Sequence, residues 1–256
     1  MSNLIEQIRD YWNRRPCNLR HGTAEIGTKE YFDQVEQRRY MVEPHGYIFA
    51  DFPKWNGKRV LEIGCGLGTD AVNFARNGAE YVGIDLSDES VKLCQKRFDI
   101  YGLKGKILQA DAEHLNRYLE PQLFDLIYSF GVIHHSADPS LVVKHFKNYM
   151  HKDSELRIML YAKSSWKNIM IEAGLDQPEA QSGCPQAITY SYDDVKKLLP
   201  DFSSIDIEQT FIFPWQIEHY VRYEYIKQPW FQAMPSEMFA ALEKQLGWHL
   251  LIKARL

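Results

Sequence analysis

Two hydrophobic periods alternate along this chain. Short apolar runs of strand length stand at 59–63, 80–84, 105–109, 124–129 and 154–161, with two more at 203–212 and 248–254. Between them, apolar residues recur every three or four positions over 69–77, 88–101, 139–150 and 192–199, which predicts helices. Start signals support three of these helices. Ser87 precedes the second, Asp138-Pro139 opens the third with proline in the first turn, and Ser191 with Asp194 makes a capping box for the fourth. Strand and helix taking turns predicts an α/β fold, a mostly parallel, doubly wound sheet with helices on both faces. No repeat, low-complexity tract or Gly/Ser linker divides residues 1–256, so a single domain is expected.

Three segments fall outside that alternation. In residues 1–55, Leu4, Ile5, Ile8, Tyr11 and Trp12 keep helical spacing, and Y-W-N-R-R-P-C-N-L-R-H-G then packs arginines among aromatics. A second helical run, E-Y-F-D-Q-V-E-Q-R-R-Y, ends before Pro44. This segment reads either as a helical flap over the sheet edge or as a lid. As a lid it would place Tyr11 over a ligand and turn Arg14, Arg15, Arg38 or Arg39 toward a carboxylate, which suits the guanidinium fork. Residues 175–190 carry Pro and Gly and read as a loop at the carboxyl end of the sheet. Residues 214–245 are rich in aromatics, and Ile217, Tyr220, Val221 and Tyr225 approximate one helical face. They could pack on the sheet, line an apolar substrate pocket, or lie on a membrane surface. Sparse basic residues there, Arg222 and Lys227 against Glu218 and Glu224, disfavour the last.

Composition narrows the classes. With 256 residues and 45% hydrophobic content, one large core can be buried. A net charge of −4 gives no basic footprint for nucleic acid. Cys17, Cys65, Cys94 and Cys184 show no C-x-x-C spacing and no histidine at metal distance, so neither a disulfide framework nor a metal site is expected. The opening residues lack the apolar core of a signal peptide, and no stretch approaches a membrane span, so a cytoplasmic protein without stable membrane insertion is expected.

The candidate chemistry lies at residues 60–70, V-L-E-I-G-C-G-L-G-T-D. An apolar run followed by three alternating glycines describes a strand turning sharply into a helix, whose unpaired amides face a ligand. The next strand ends at Asp85, where a carboxylate can hold the two hydroxyls of a ribose. A dinucleotide fingerprint would need glycine at position 69, which is Thr69, and no G-K-[ST] of a phosphate loop is present.

Glu62, Gly64, Gly66 and Gly68, followed by Asp85, resemble motif I and its successor in the class I (Rossmann-like) S-adenosylmethionine (SAM) methyltransferases. Q-A-D-A-E-H-L at 109–115 resembles the segment that contacts adenine, with Asp111 toward the exocyclic amine and Ala112 close by. F-D-L-I-Y-S-F-G-V-I-H-H at 124–135 resembles the fourth strand and the turn facing the transferred methyl. L-R-I-M-L-Y at 156–161 and G-W-H-L-L-I-K-A-R at 247–255 fit the fifth and the antiparallel last strand. The likeness is good over roughly 55–160 and looser elsewhere.

The resemblance implies a seven-stranded sheet of order 3-2-1-4-5-7-6 with a helical N-terminal lid and cap insertions. A cofactor half would span 56–162 and a substrate-side half 163–256. It also implies SAM as cofactor, leaving S-adenosylhomocysteine (SAH). The implied cofactor residues are Glu62, Gly64, Cys65, Gly66, Gly68, Thr69 and Asp70, then Asp85, Leu86, Asp111, Ala112 and Phe130, with Tyr11 above. Cys65 reads as a small packing residue. His134 is the candidate base or acceptor-orienting residue, or else structural; His135, Tyr161 and Arg39 are candidates to touch the acceptor.

The 124–135 segment lacks the N-P-P-Y turn of DNA amino-methyltransferases, the paired glutamates of protein-arginine enzymes and the catalytic cysteine of RNA cytosine enzymes. That leaves methyl transfer to an O, N or C atom of a small molecule. The alternatives are an RNA or protein methyltransferase reading its substrate through the arginine-rich N-terminal segment, and a non-catalytic SAM-binding module.

Overall fold

A computed structural model describes residues 3–176 and 183–256. Its strands are β1 (Arg59–Ile63), β2 (Glu80–Asp85), β3 (Lys106–Gln109), β4 (Phe124–Phe130), β5 (Met150–Ala162), β6 (Thr189–Tyr190), β7 (Ser204–Thr210) and β8 (His249–Arg255). They form one sheet in the order β3-β2-β1-β4-β5-β8-β7, with β6 paired in parallel to the end of β5. The expected seven-strand order is present, and β6 is an addition: two residues are too few to leave a periodic signal. β8 runs antiparallel between β5 and β7, so His249, its first residue, faces Tyr161 on one side and Thr210 on the other. It therefore lies at the carboxyl edge of the parallel strands.

The helices are α1 (Leu4–Arg14), α2 (Lys29–Val42), α3 (Pro44–Ala50), α4 (Thr69–Arg76), α5 (Asp88–Tyr101), α6 (Pro139–Phe146), α7 (Trp166–Glu172), α8 (Tyr192–Leu198), α9 (Ile217–Tyr220), α10 (Pro229–Gln232) and α11 (Ser236–Leu246). The cap signals read from the sequence are made. The Ser87 hydroxyl accepts from Ser90 N–H, Asp138 from Ser140 and Leu141, and Ser191 with Asp194 closes its box. Buried side chains form an apolar layer on each sheet face, one with Phe146, Tyr149 and Leu156, the other with Phe52, Phe74 and Tyr128.

Two expectations are corrected. The helix expected over 139–150 ends at Phe146, because Met150 already pairs with Phe124 across a register shift and starts β5. The aromatic face expected from Ile217, Tyr220, Val221 and Tyr225 does not form one helix. The segment folds as three short helices, with Tyr223 at φ 66° and prolines at Pro229 and Pro235 restarting the chain, so Ile217 and Val221 are 57% and 62% exposed. Of the loop expected at 175–190, residues 177–182 lie outside the described residues. Among the described residues no helix is long and apolar enough to cross a membrane.

The N-terminal segment divides into parts of different attachment. α2 is tied down by Arg97, a fully buried side chain of α5. Its guanidinium donates to Glu36 Oε2 (2.8 Å) and the Phe32 carbonyl (3.1 Å) on α2, and to Thr69 Oγ1 (2.8 Å) on α4. Among the hydrogen bonds tying α1 to the body, the Ser87 hydroxyl donates to the Trp12 carbonyl at 3.4 Å.

Candidate functional site

Gly64, Gly66 and Gly68 all take positive φ (80°, 52° and 76°) in the turn from β1 into α4, yet a side chain would meet a different neighbour at each. A Cβ on Gly64 would lie 2.2 Å from Val132, and one on Gly68 2.6 Å from the Cys94 sulfur. On Gly66 it would meet nothing within 4 Å. The first and last glycines are therefore required by packing, and the middle one borders open space. Beside that space Asp85 ends β2. Its carboxylate accepts from Gly66 N–H (2.9 Å) and Ser87 N–H (2.8 Å). Burial pushes the Asp85 carboxyl above its ordinary range, against the lowering effect of amides at Ser87, Gly66 and Leu86.

Behind the turn, the other motif residues serve the framework. Glu62 Oε2 accepts from the Tyr81 hydroxyl at 2.6 Å, and burial, with Asp70 adding, holds this carboxyl well above its usual range. Both oxygens of Asp70 are taken by phenols, Tyr40 at 2.6 Å and Tyr128 at 2.8 Å. Thr69 accepts from Arg97, and Cys65 is buried. On the far side of β2, Gln109 donates to the Leu86 carbonyl at 3.3 Å. Asp111 accepts from Glu113 N–H and lies 2.8 Å from His114 Nδ1; Ala112 follows it, half-buried.

At the carboxyl end of β4 stand Phe130 and Gly131 (φ 77°). His134 is wholly buried, its ring tilted onto Tyr161 at 3.7 Å, and neither ring nitrogen has a hydrogen-bond partner among the described residues. Burial, then His135, lowers its basicity well below the ordinary range. In this arrangement it touches Tyr161 and His135 rather than open space. His135 Nδ1 lies 2.6 Å from the Gln186 carbonyl, which can only accept, so this contact needs the Nδ1–H form, and the ring meets Trp12 of α1 at 5.2 Å. Tyr161 stacks on Trp248 at 4.3 Å. Tyr11 is buried in α1 with its ring edge on Trp12, and Trp12 touches Ser87 after β2 and His135 after β4, a packing that suits a flap and a lid alike.

Of the four candidate arginines, Arg14 and Arg15 are exposed. Arg38 lies over the rings of Tyr220 and Tyr223 (4.3 and 3.9 Å) and donates to the Tyr220 carbonyl at 2.7 Å, which joins the N-terminal segment to the aromatic insertion. Arg39 is bonded to Glu43 and lies 4.7 Å over the Phe130 ring. Next to it, His45 Nε2 and His249 Nδ1 are 2.8 Å apart, and His249 Nε2 is 3.9 Å from Glu43 Oε1. Phe211 stacks on both imidazoles, at 4.8 and 4.7 Å. Burial, with Arg39 adding, holds His45 down to about 3, and burial with His45 and Arg39 lowers His249 well below its ordinary value.

The family model described as "Methyltransferase domain" matches residues 54–203, more than half of the chain. The chain belongs to this methyltransferase family. Among curated relatives, the ubiquinone biosynthesis O-methyltransferase of Photorhabdus laumondii is 30% identical over 105 residues, covering 41% of this chain and 40% of that one. The phthiotriol/phenolphthiotriol dimycocerosates methyltransferase of Mycobacterium leprae is 37% identical over 81 residues, covering 31% and 28%. The methyltransferase chain thus spans about two fifths or less of the curated relatives it matches. Among solved structures, magnesium protoporphyrin IX methyltransferase from Synechocystis with bound SAH aligns with TM-score 0.59 at 17% identity, covering 99% of this chain and 100% of that one. A SAM dependent methyltransferase from Archaeoglobus fulgidus gives 0.57 at 19%, covering 88% and 94%. At that identity these likenesses establish the fold.

In this methyltransferase the sequence reading missed Glu43, His45, Phe211 and His249. His249 carried no signal, being one polar residue opening a strand. His45 follows Pro44 in what reads as a helix start, and it meets His249 only through the fold. Phe211 at φ 73° is a bulky residue in the left-handed region, a conformation that only the coordinates reveal.

Proposed function

We propose that this methyltransferase moves a methyl group from SAM to an O, N or C atom of a small molecule. The observation that carries the reading is the open space over Gly66 beside the Asp85 carboxylate. A nucleoside fits there: the backbone can be approached closely, α4 turns its first amides toward the ligand, and Asp85 has backbone donors that a ribose diol could join. Residues Gly64–Gly68 would hold the amino-acid end, Asp85 the ribose and Asp111 with Ala112 the adenine. Bound there, SAM supplies a methyl group on a positively charged sulfur.

The remaining work falls to side chains. Phe130 and Tyr161 form the wall facing an acceptor, and α1 with Trp12 excludes water. An acceptor hydroxyl or ammonium must lose a proton. His45 is neutral, and with Nε2–H donated to His249 Nδ1 its Nδ1 lone pair can accept a hydrogen bond from that group and orient it. His249 and Glu43 then orient the ring. His134 is assigned the positioning of Tyr161, against which it packs. The RNA or protein alternative loses support because Arg38 and Arg39, half of the candidate arginines, are buried on internal partners.

Thermal melting with SAH tests the donor site. At a hundredfold excess over the dissociation constant, stabilisation of about 2.7 kcal/mol is expected. No shift with SAM or SAH at millimolar concentration would sink the reading. Labelled SAM with cell extract tests the acceptor: label confined to small solutes supports it, and label lost with ribonuclease or protease refutes it.

A further inference from the structure

Beside the His45–His249 pair, a cavity of about 130 Å³ opens between α7, α10 and the strand ends of β7 and β8. Its floor is Phe211 and Trp248, its sides include Trp166 and Phe231, and its rim includes Ile217 and Trp230, 57% and 52% exposed. The size is near that of an engineered apolar cavity of roughly 150 Å³ that stays dry and binds benzene. Lys167 and Asp176, the charged residues of its lining among the described residues, neutralise each other across 3.0 Å. The pocket therefore suits an uncharged ring.

The floor connects this pocket to the reacting end of the site. Phe211 has one ring serving both: it lines the cavity and stacks on His45 and His249. Trp248 lines the cavity and stacks on Tyr161. Phe211 is held at φ 73°, and such strain in a bulky residue persists only where surrounding structure enforces it. The Phe211 carbonyl accepts from Trp248 N–H at 2.7 Å, which fixes the two floor residues to each other.

We propose that this cavity is the acceptor subsite for a neutral aromatic ring, with Phe211 setting how deep the ring can sit. The proposal rests on the methyl-transfer reading for the role of the ligand, but not for its binding. An acceptor seated here enters between Ile217 and Trp230 and rests on Phe211, whose ring also stacks on His45 and His249.

The experiment uses the whole chain and 4-fluorophenol as probe, followed by fluorine NMR line width and saturation. Saturable binding to the wild type is expected, at least tenfold weaker in Met170→Trp, which fills the cavity from α7. The Phe211→Ala change should raise affinity for 4-(4-fluorophenyl)phenol relative to 4-fluorophenol at least fivefold. A far-ultraviolet circular-dichroism spectrum and cooperative melt like the wild type's show that each variant is folded; if Met170→Trp loses them, Trp230→Ala, which removes a rim wall, takes its place with the same tenfold loss expected. Absence of saturable binding overturns the proposal, as does equal binding to the filled or opened variant. Equal affinity for 4-fluorobenzoate overturns the neutral-ring assignment. Ring binding without any SAH shift sinks the methyl-donor reading and leaves the cavity standing; an SAH shift without ring binding does the reverse.

Discussion

Alanine at Gly66 separates folding from cofactor binding, because of the three turn glycines only this one borders open space. The substitution keeps φ at 52°, which costs an L-residue about 1–2 kcal/mol in the left-handed region. No neighbour is struck, so no packing cost is added. For a domain of this size, each kcal/mol lowers Tm by roughly 2–4 °C, so a loss of about 2–8 °C is expected. Gly64→Ala carries the same backbone cost and drives its methyl to 2.2 Å from Val132. Overpacking adds about 1–3 kcal/mol, for a total of roughly 2–5 kcal/mol. Scanning fluorimetry reads the two losses, and isothermal titration with SAH reads affinity. Gly66→Ala should stay folded and bind SAH at least tenfold more weakly, about 1.4 kcal/mol. Wild-type affinity in a folded Gly66→Ala protein would refute the placement of the ligand. A Gly64→Ala variant as mild as Gly66→Ala would refute the packing argument.

Asp85→Asn should weaken SAH binding by roughly 10- to 150-fold, the range of a hydrogen bond to a charged group, and should also lower Tm, because the amide can accept from only one of Gly66 N–H and Ser87 N–H; titration calorimetry reads the first and scanning fluorimetry the second. Arg97→Met removes a buried guanidinium from Glu36, Thr69 and the Phe32 carbonyl and should cost roughly 3–5 kcal/mol, less if Glu36 is satisfied by Arg76 at 2.7 Å, as a denaturation midpoint will show. His21 and His45 are each held down to about 3, mainly by burial, so both are neutral when folded but titrate near 6.5 when unfolded. Their contribution is complete above about pH 6.5 and lost as pH falls toward 3, at about 1.4 kcal/mol per pH unit for each proton taken up, and a flat Tm from pH 7 to 5 would contradict it. His134→Phe removes two buried, unpartnered nitrogens, so Tm should hold or rise, and a fall beyond about 1 kcal/mol would reveal a missed partner.

The sheet was legible because its signals are local. The apolar runs at 59–63 and 124–129, the caps at Ser87 and Ser191 and the glycine spacing each act within a few residues. What stayed hidden depends on distant partners. Asp70 reads as a ligand contact in the motif, but its oxygens go to phenols thirty and fifty-eight residues away. Arg38 and Arg39 read as free arms, whereas aromatic faces and Glu43 occupy them. The imidazole pair joins residues 204 positions apart, and no periodicity links His45 to His249. Ile217, Tyr220, Val221 and Tyr225 looked like one helical face because side-chain spacing survives in short pieces, while Tyr223 at φ 66° breaks the backbone among them.

The Arg97 tie makes the N-terminal segment a door frame with a single leaf. α2 is bolted to both α4 and α5, so it cannot swing without tearing a buried cation from its partners. α1 is joined to it by a stretch that includes Asn18 at φ 63° and a short turn at Leu19–His21, and carries none of the Arg97 bonds. Traffic through the cofactor cleft would then be controlled by eleven residues, Leu4–Arg14, rather than by the whole first fifth of the chain. If that leaf moved, the glycine turn and the Arg97 bonds behind it would stay in place, so exchange of a bound nucleoside would not require the fold that recognises it to loosen.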